Sequence, residues 1–555
     1  MDMSTSQADL VLRNGRIYTV NGNGDWAEAM AVKDGKIVAI GSESVISGYT
    51  EGAEVIDLDG KMVMPGIVDV HNHHFIAGAS DLFELRFLPS LSYEEVLEKV
   101  RERAAQTEPG GWIIGGSWGS NFADRLNSLE AKKALDDAAG GRPVLLRDDT
   151  YHNRWVNTAA LAAAGITRDT ADPEQGEILR DPETGEATGV LLETAAAFVE
   201  RAADEAQPLT PEQQREAASS AMATLNSFGV TAFLDAACME YMMAALKGLD
   251  DRDEMTCWAG ACLPATEPGF IFGKVGKELI AVKEQYRGKH VFPDFIKIFL
   301  DGVPPARTAA FVEPYVPDTI HGCCFCGATK MTVPELVRWV GDAEKEGMGV
   351  KIHCAGDAAV LQALDAFEVV RSFNGPTEIK HHVAHASFIR EEDIMRFAEL
   401  GVVADLCPII WYPTPILEAT KAALGEERAE RFWPNKKLDE AGALMASGSD
   451  WPVAPQPDPW DGIEGMITRE NPSGAYPGQS LWKEQALGLE KVLEIYTINA
   501  AKAMRIDEFT GSLESGKFAD FIVLDRNLFE TPEKDLADTR VLKTFFKGRK
   551  VFERT

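Results

Sequence analysis

The chain has 555 residues with 87 acidic against 55 basic side chains, a formal net charge of −32 with histidine neutral. A surface of that sign excludes nucleic-acid binding by phosphate neutralisation, which needs a basic footprint, and is repelled by anionic membranes. Hydrophobic residues make up 45% and charged residues 26%, the balance of a globular protein with a large core rather than of a disordered chain.

The N-terminus, MDMSTSQADL, has neither a basic n-region nor an apolar h-region, and no run of 18 apolar residues occurs anywhere, so a cytoplasmic protein is expected. Residues 9–66 read as short strands separated by Asn14-Gly15, Asp34-Gly35 and Asp59-Gly60, the dipeptides of two-residue hairpin turns. Residues 511–555 have the same character, with FADFIVLD and then VLKTFFKGRKVFE folding back at Lys547-Gly548. Chain ends often lie close together. The two β-rich ends, 1–65 and 505–555, are therefore expected to build one small composite β-sandwich domain around which the middle is inserted.

In the middle, strand-length apolar runs alternate with helical stretches: GIVDVH (66–71), GVTAFLDAA (229–237), EMTCWAGACL (254–263), DFIKIFLD (294–301), GVKIHC (349–354), EIKHHVAH (378–385), GVVADLC (401–407) and GALMASGSD (442–450). Eight such runs predict an α/β fold, a (β/α)8 TIM barrel over residues 66–504. The gap between the first and second runs is too long for one helix. Residues 80–200 are thus expected to form an insertion with its own structure, placed over the active-site mouth.

Ligand-type residues gather at the C-terminal ends of these strands. His71 and His73 end the first, two apart and so on one face; Lys297 lies on the fourth, His353 ends the fifth, His385 the sixth and Asp450 the eighth. Five of these six are imidazoles or a carboxylate suited to zinc or a similar divalent ion. Each is weak evidence alone, but random placement would scatter the ten histidines over both barrel ends and the loops. Lys297 admits two readings: a lysine of depressed pKa that reacts with carbon dioxide and bridges two metals as a carbamate, which we favour, or an ammonium paired with Asp301. Eight cysteines are too sparse for a disulfide scaffold, and Cys257, Cys262 and Cys407 sit in apolar runs as buried thiols do. Cys323, Cys324 and Cys326, close after His321, have no second ligand pair to complete a metal site.

The motifs VMPGIVDVHNHH (63–74), DTYHNRWVN (149–157), FIKIFLDG (295–302), VKIHCAGDAAV (350–360), VAHASFI (383–389), SGSDWPV (447–453) and the tail YTINAAKAMRIDEFTGSLESGKFADFIVLD (496–525) together make the chain resemble the amidohydrolase superfamily. Within it, the resemblance is to the family 3 branch that includes N-substituted formamide deformylases. It implies a composite β-sandwich beside a metal-bearing barrel, with His71, His73, His353, His385 and Asp450 as ligands and Lys297 as a carboxylated bridge. One departure is Ala384, where many members carry Glu before the strand-six histidine.

The expected activity is hydrolysis of a non-peptide carbon–nitrogen bond in a small neutral or cationic amide, formamide or related compound, with one or two divalent ions per chain, zinc first. Asp450 would move the proton from water to the departing nitrogen, with His353 or His385 stabilising the oxyanion. Asp69 would orient ligands. His152, Trp118 and Trp411, with Trp451, are expected at the substrate, and His74 near the ligands; His381 and His382 read as core or loop residues, His290 and His321 carry no argument, and Asp357 reads as a helix cap. The alternatives are a heterocycle deaminase, disfavoured because Gly356 stands where its proton-donating Glu would be, and an inactive scaffold, disfavoured because every ligand position is filled. A homodimer is the expected assembly.

Overall fold

The computed structural model describes residues 7–22, 26–119, 123–174 and 176–555. Residues 1–6, on which part of the expectation about the N-terminus rests, lie outside the described residues.

Eight parallel strands form the central sheet: β1 (Ile67–Asn72), β2 (Val230–Asp235), β3 (Trp258–Pro264), β4 (Val291–Phe299), β5 (Gly349–Cys354), β6 (His382–His385), β7 (Val403–Leu406) and β8 (Met445–Ser447), each paired with the next in chain order. Every position of β1, β2, β3 and β5 is buried, as strands with side chains packed inside the ring and helices packed outside must be. The ring closes just past β8, where the Asp450 N–H donates to the His71 carbonyl at 2.7 Å and the His73 N–H to the Trp451 carbonyl at 2.8 Å. Gly448 permits that approach, since a methyl group there would collide with the backbone of His71. The helix Pro211–Ser227, which leads into β2, starts at Thr210 with a reciprocal cap to Gln213 and a proline in its first turn, three local signals that agree.

The ends of the chain do combine. A six-stranded sheet runs in the order Arg549–Glu553, Val541–Phe546, Phe521–Leu524, Met62–Pro65, Arg16–Tyr18, Trp26–Ala27, mixing strands from both termini. A four-stranded sheet of Lys36–Gly41, Ala29–Lys33, Leu10–Arg13 and Glu54–Asp57 packs with it through Leu12, Ile17, Val32, Val63, Phe521 and Phe545. Asp34-Gly35 and Lys547-Gly548 are two-residue hairpin turns with positive φ at both positions. Asn14-Gly15 and Asp59-Gly60 are not hairpins: the strands on either side belong to different sheets. The same kind of dipeptide serves there to turn a sandwich corner, with both residues left-handed at Asp59-Gly60 and only Asn14 at Asn14-Gly15, and local sequence does not distinguish the two uses.

Between β1 and β2 the chain builds a five-stranded sheet, Gly176–Arg180, Ala187–Glu193, Asn153–Val156, Val144–Asp148 and Ile113–Trp118, with its own core around Trp118, Leu135, Leu146 and Trp155. Among the described residues no helix is long and apolar enough to cross a membrane.

Candidate metal centre

Strand alternation and an abrupt helix start place the first two histidines. His71 is the penultimate residue of β1 and fully buried; His73 follows as the N-cap of the helix His74–Phe83. Asp450 and His385 both hold left-handed backbone, with φ of 55° and 71°, a costly conformation for residues with side chains that is characteristic of functional positions. Asp450 is the centre of the group: its Oδ1 lies 3.4 Å from His73 Nε2 and 3.7 Å from His71 Nε2, and its Oδ2 lies 3.9 Å from His385 Nδ1. The Lys297 Nζ is 3.4 Å from the same His71 Nε2. His353 stacks edge-on to His385 with ring centroids 4.1 Å apart, and its Nε2 faces the Gly302 carbonyl at 3.1 Å. All six expected ligand positions therefore converge on one end of the barrel, with His353 on the outer side of the group.

The donor set fits a divalent cation. Burial, reinforced by the Lys297 ammonium, pushes the imidazoles of His71, His353 and His385 well below the ordinary histidine range, so they stand neutral with lone pairs available. Burial would raise Asp450, but the His73 hydrogen bond leads the interactions that hold it below the usual carboxylate range. The potential ligand atoms of His71, His73 and Asp450 all lie within 4.8 Å of one another. Lys297 is buried, and burial together with the neighbouring Lys351 lowers its pKa.

The pairing of Lys297 with Asp301 does not occur. Asp301 instead accepts from the backbone N–H groups of Ala310, Ala355 and Gly356, and burial raises it to about 7. A carboxylate with three backbone donors already has its partners, and no ion pair of Lys297 is found among the described residues. Asp69 acts on backbone rather than on the imidazoles: it accepts from the His71 N–H, the Asn72 amide and both the N–H and hydroxyl of Ser449, tying β1 to the segment that carries Asp450.

Residues that composition did not single out complete the centre. Asp405 on β7 accepts from His71 Nδ1 at 3.2 Å, leaving Nε2 as the end that faces Asp450, and is itself paired with the fully buried Lys351 on β5. Their signal was a charged residue inside an otherwise apolar buried strand, in GVVADLC and GVKIHC. Cys407 is a buried thiol as expected, yet its Sγ lies 3.2 Å from His71 Nδ1 and 3.4 Å from His385 Nδ1. His152 reaches down from the insertion: its Nδ1 donates to Glu193 at 3.0 Å and its ring lies 5.7 Å from that of His353. Glu193 also accepts from Thr308 at 2.6 Å and faces Lys330 at 3.4 Å, both on the segment after β4. Burial works against the charge of both partners, but each outweighs it for the other, so His152 is raised and Glu193 lowered.

A cavity of about 230 Å³ opens from the ligands toward the insertion, walled by Phe83, Phe270, Phe299, Tyr151, Tyr241 and Trp112. Further out, Arg147 and Arg154 pair with Glu200, and Arg147 also with Glu84. Trp118, Trp411 and Trp451 do not line it. Trp118 packs in the core of the insertion, its Nε1–H on the Leu146 carbonyl at 3.1 Å; Trp411 is buried in the barrel's outer core with Nε1–H on the Gly462 carbonyl at 2.7 Å; and Trp451 is likewise core. Large aromatics are worth most where they are wholly desolvated, and these three are spent on packing.

The remaining histidines are accounted for. His74 donates through Nδ1 to Asp235 at 2.7 Å, His381 and His382 are core residues bonded to Glu344 and the Ala503 carbonyl, and His290 and His321 pair with Asp250 and Asp318. Asp357 is the first residue of its helix rather than the cap, and accepts from the Val312 N–H. The Cys323 and Cys324 sulfurs lie 3.3 Å apart on the surface and join no metal-ligand group among the described residues.

A barrel that gathers neutral imidazoles, a carboxylate and a buried lysine at the C-terminal ends of its strands defines the class of metal-dependent barrel hydrolases. Residues 54–552 match the amidohydrolase family model, and the chain belongs to that family. It is a hydrolase acting on carbon–nitrogen bonds and dependent on a divalent metal. It is 30% identical over 550 residues to the YtcJ protein of Bacillus subtilis (strain 168), covering 98% of this chain and 99% of that one. It is 29% identical over 565 residues to the N-substituted formamide deformylase of Arthrobacter pascens, covering 99% of each. The fold matches an uncharacterized metal-dependent hydrolase from Pyrococcus horikoshii OT3 with a TM-score of 0.73 at 24% identity, covering 94% of this chain and 99% of that one.

Proposed function

We propose that this protein hydrolyses the amide bond of small N-substituted carboxamides, formamides among them, at a zinc centre held by His71, His73, Lys297, His353, His385 and Asp450. The carrying observation is the position of Asp450, whose two oxygens face His71 and His73 on one side and His385 on the other. The 29% identity to an N-substituted formamide deformylase over 99% of each chain supports the substrate class.

Bound zinc supplies Lewis acidity to the substrate carbonyl and to water. Lys297 is buried and without a carboxylate partner among the described residues; as the neutral amine it would add to carbon dioxide with loss of a proton, and the resulting carbamate would supply anionic oxygen donors to the ions held by this ligand set. Asp450 accepts the proton of the attacking water and delivers it to the departing nitrogen. His385 and His353, kept neutral by burial, flank the oxygen on which charge develops. His152, kept protonated by its Nδ1 hydrogen bond to Glu193, offers its Nε2–H to the substrate carbonyl.

Metal content per chain, measured by elemental mass spectrometry on wild type and Lys297→Ala, tests the reading. Two zinc ions falling to one or none in the variant, with loss of formamide hydrolysis, are expected; equal metal content in both would remove the carbamate bridge, and a protein that takes up no metal would remove the hydrolase.

A further inference from the structure

Beside the large cavity lies a second recess of about 70 Å³. The two share Thr150, His152, His353, His385, Asp450 and Val453 as a common wall. A bond placed against Asp450 therefore has one substituent directed to each side. Apart from Ser387 the rest of the recess is apolar, with Val303, Pro304 and Pro305 after β4, Ile410 and Ile416 after β7, and Trp433 among its lining. Beyond the common wall it has no charged side chain, whereas the large cavity adds Glu84, Glu200 and Asp204 together with Arg147, Arg154 and Lys297; the two arginines pair with Glu84 and Glu200, and Asp204 has no ion-pair partner among the described residues. At roughly 10–15 Å³ for each water-sized group, the recess holds about five to seven heavy atoms and the cavity about fifteen to twenty-three.

Hydrolysis distinguishes the two ends of the substrate. R–CO–NH–R′ and water give RCOO⁻ and R′NH₃⁺: the carbon–nitrogen bond breaks, a carbon–oxygen bond forms, and the nitrogen carries the proton away. The nitrogen side thus ends as a cation, which an apolar recess without a polar partner would penalise more than a cavity walled by charged groups, Asp204 among them. The alkyl part of the acyl group stays uncharged throughout. We infer that the recess is an acyl-chain subsite, so that the preferred substrates carry a bulky, aromatic group on nitrogen and a short unbranched aliphatic acyl chain of about four carbons. This rests on the amide-hydrolase reading and adds to it the side on which each substituent sits and the length of the shorter one.

The test uses the full-length, zinc-loaded protein, with metal content verified, and the N-(2-phenylethyl) amides of formic, acetic, butyric and octanoic acids, plus N-butyl-3-phenylpropanamide as the reversed isomer. Each methylene taken into an apolar site is worth roughly fourfold, so kcat/KM is expected to rise about fifteenfold from acetyl to butyryl, then fall at octanoyl, with the reversed isomer at least tenfold below the butyryl amide. Ile416→Trp, which fills the recess from the helix Pro415–Leu424, is expected to bring the butyryl-to-acetyl ratio close to one. Hydrolysis of the formyl amide with the acetyl and butyryl amides inert, or a preference for the reversed isomer, would overturn the subsite and leave the hydrolase reading standing. Inertness of every amide in the zinc-loaded protein would overturn the hydrolase reading and the subsite with it.

Discussion

Lys351 and Asp405 form an ion pair with both side chains wholly buried inside the barrel, and the same Asp405 oxygen that meets the lysine faces His71 Nδ1 at 3.2 Å. The lysine's remaining hydrogen bond goes to the Val70 carbonyl at 2.9 Å, one residue before His71. A charge pair in the interior is thus used to fix the tautomer and the backbone of one candidate ligand, the outer-layer arrangement that orients metal-binding imidazoles.

Removing that support separates metal binding from stability. Asp405→Ala is expected to weaken zinc affinity by about 10–100-fold and to cost about 3–5 kcal/mol, because Lys351 is left charged and unpaired in the core. The double variant Lys351→Met/Asp405→Leu should recover most of the stability and none of the affinity. Competition with a chromogenic chelator and thermal unfolding read the two effects independently; recovery of both together would make the pair purely structural.

The His152–Glu193 pair predicts a pH dependence. Glu193 raises His152, so the pair's contribution to folding is fully present below the ordinary histidine pKa and is lost as pH rises through the raised value. The cationic form should serve substrate binding over the same window. In Glu193→Gln the alkaline limb of kcat/KM is expected to move to lower pH, since the imidazole then loses its proton sooner; a limb that stays in place would assign it to another group.

Tryptophans and phenylalanines should behave oppositely. Trp118→Ala and Trp411→Ala remove core side chains and are expected to destabilise by about 3–5 kcal/mol, with KM little changed in the protein that remains folded. Phe270→Ala, on the cavity wall, should raise KM for an N-arylalkyl amide several-fold at a smaller stability cost. Paired unfolding and steady-state measurements decide between them.

Gly448→Ala puts a methyl group into the backbone of His71. The β8–β1 seam must open to accommodate it, at a cost of about 1–3 kcal/mol or more, and zinc content should fall with it because His71 and Asp450 are joined across that seam. Full metal content in a destabilised variant would show that the seam and the centre are independent.

Much of this molecule follows from local pattern. Eight apolar runs with helices between them specify the barrel, two-residue left-handed turns at Asp34-Gly35 and Lys547-Gly548 specify hairpins, and strand-end histidines specify where metal chemistry belongs, because strand periodicity and ligand type are properties of a few neighbouring residues. Pairing across the chain is not. Asp405 meets His71 from 334 positions away and Glu193 meets His152 from 41, and dipeptides of the same kind at Asn14-Gly15 and Asp59-Gly60 turn corners instead of hairpins. The same limit misplaced Trp118 and Trp411 at the substrate and left open the pairing of Lys297 with Asp301 that the structure does not contain, since a residue's type states what it can bind and only the closed barrel decides which partners reach it first.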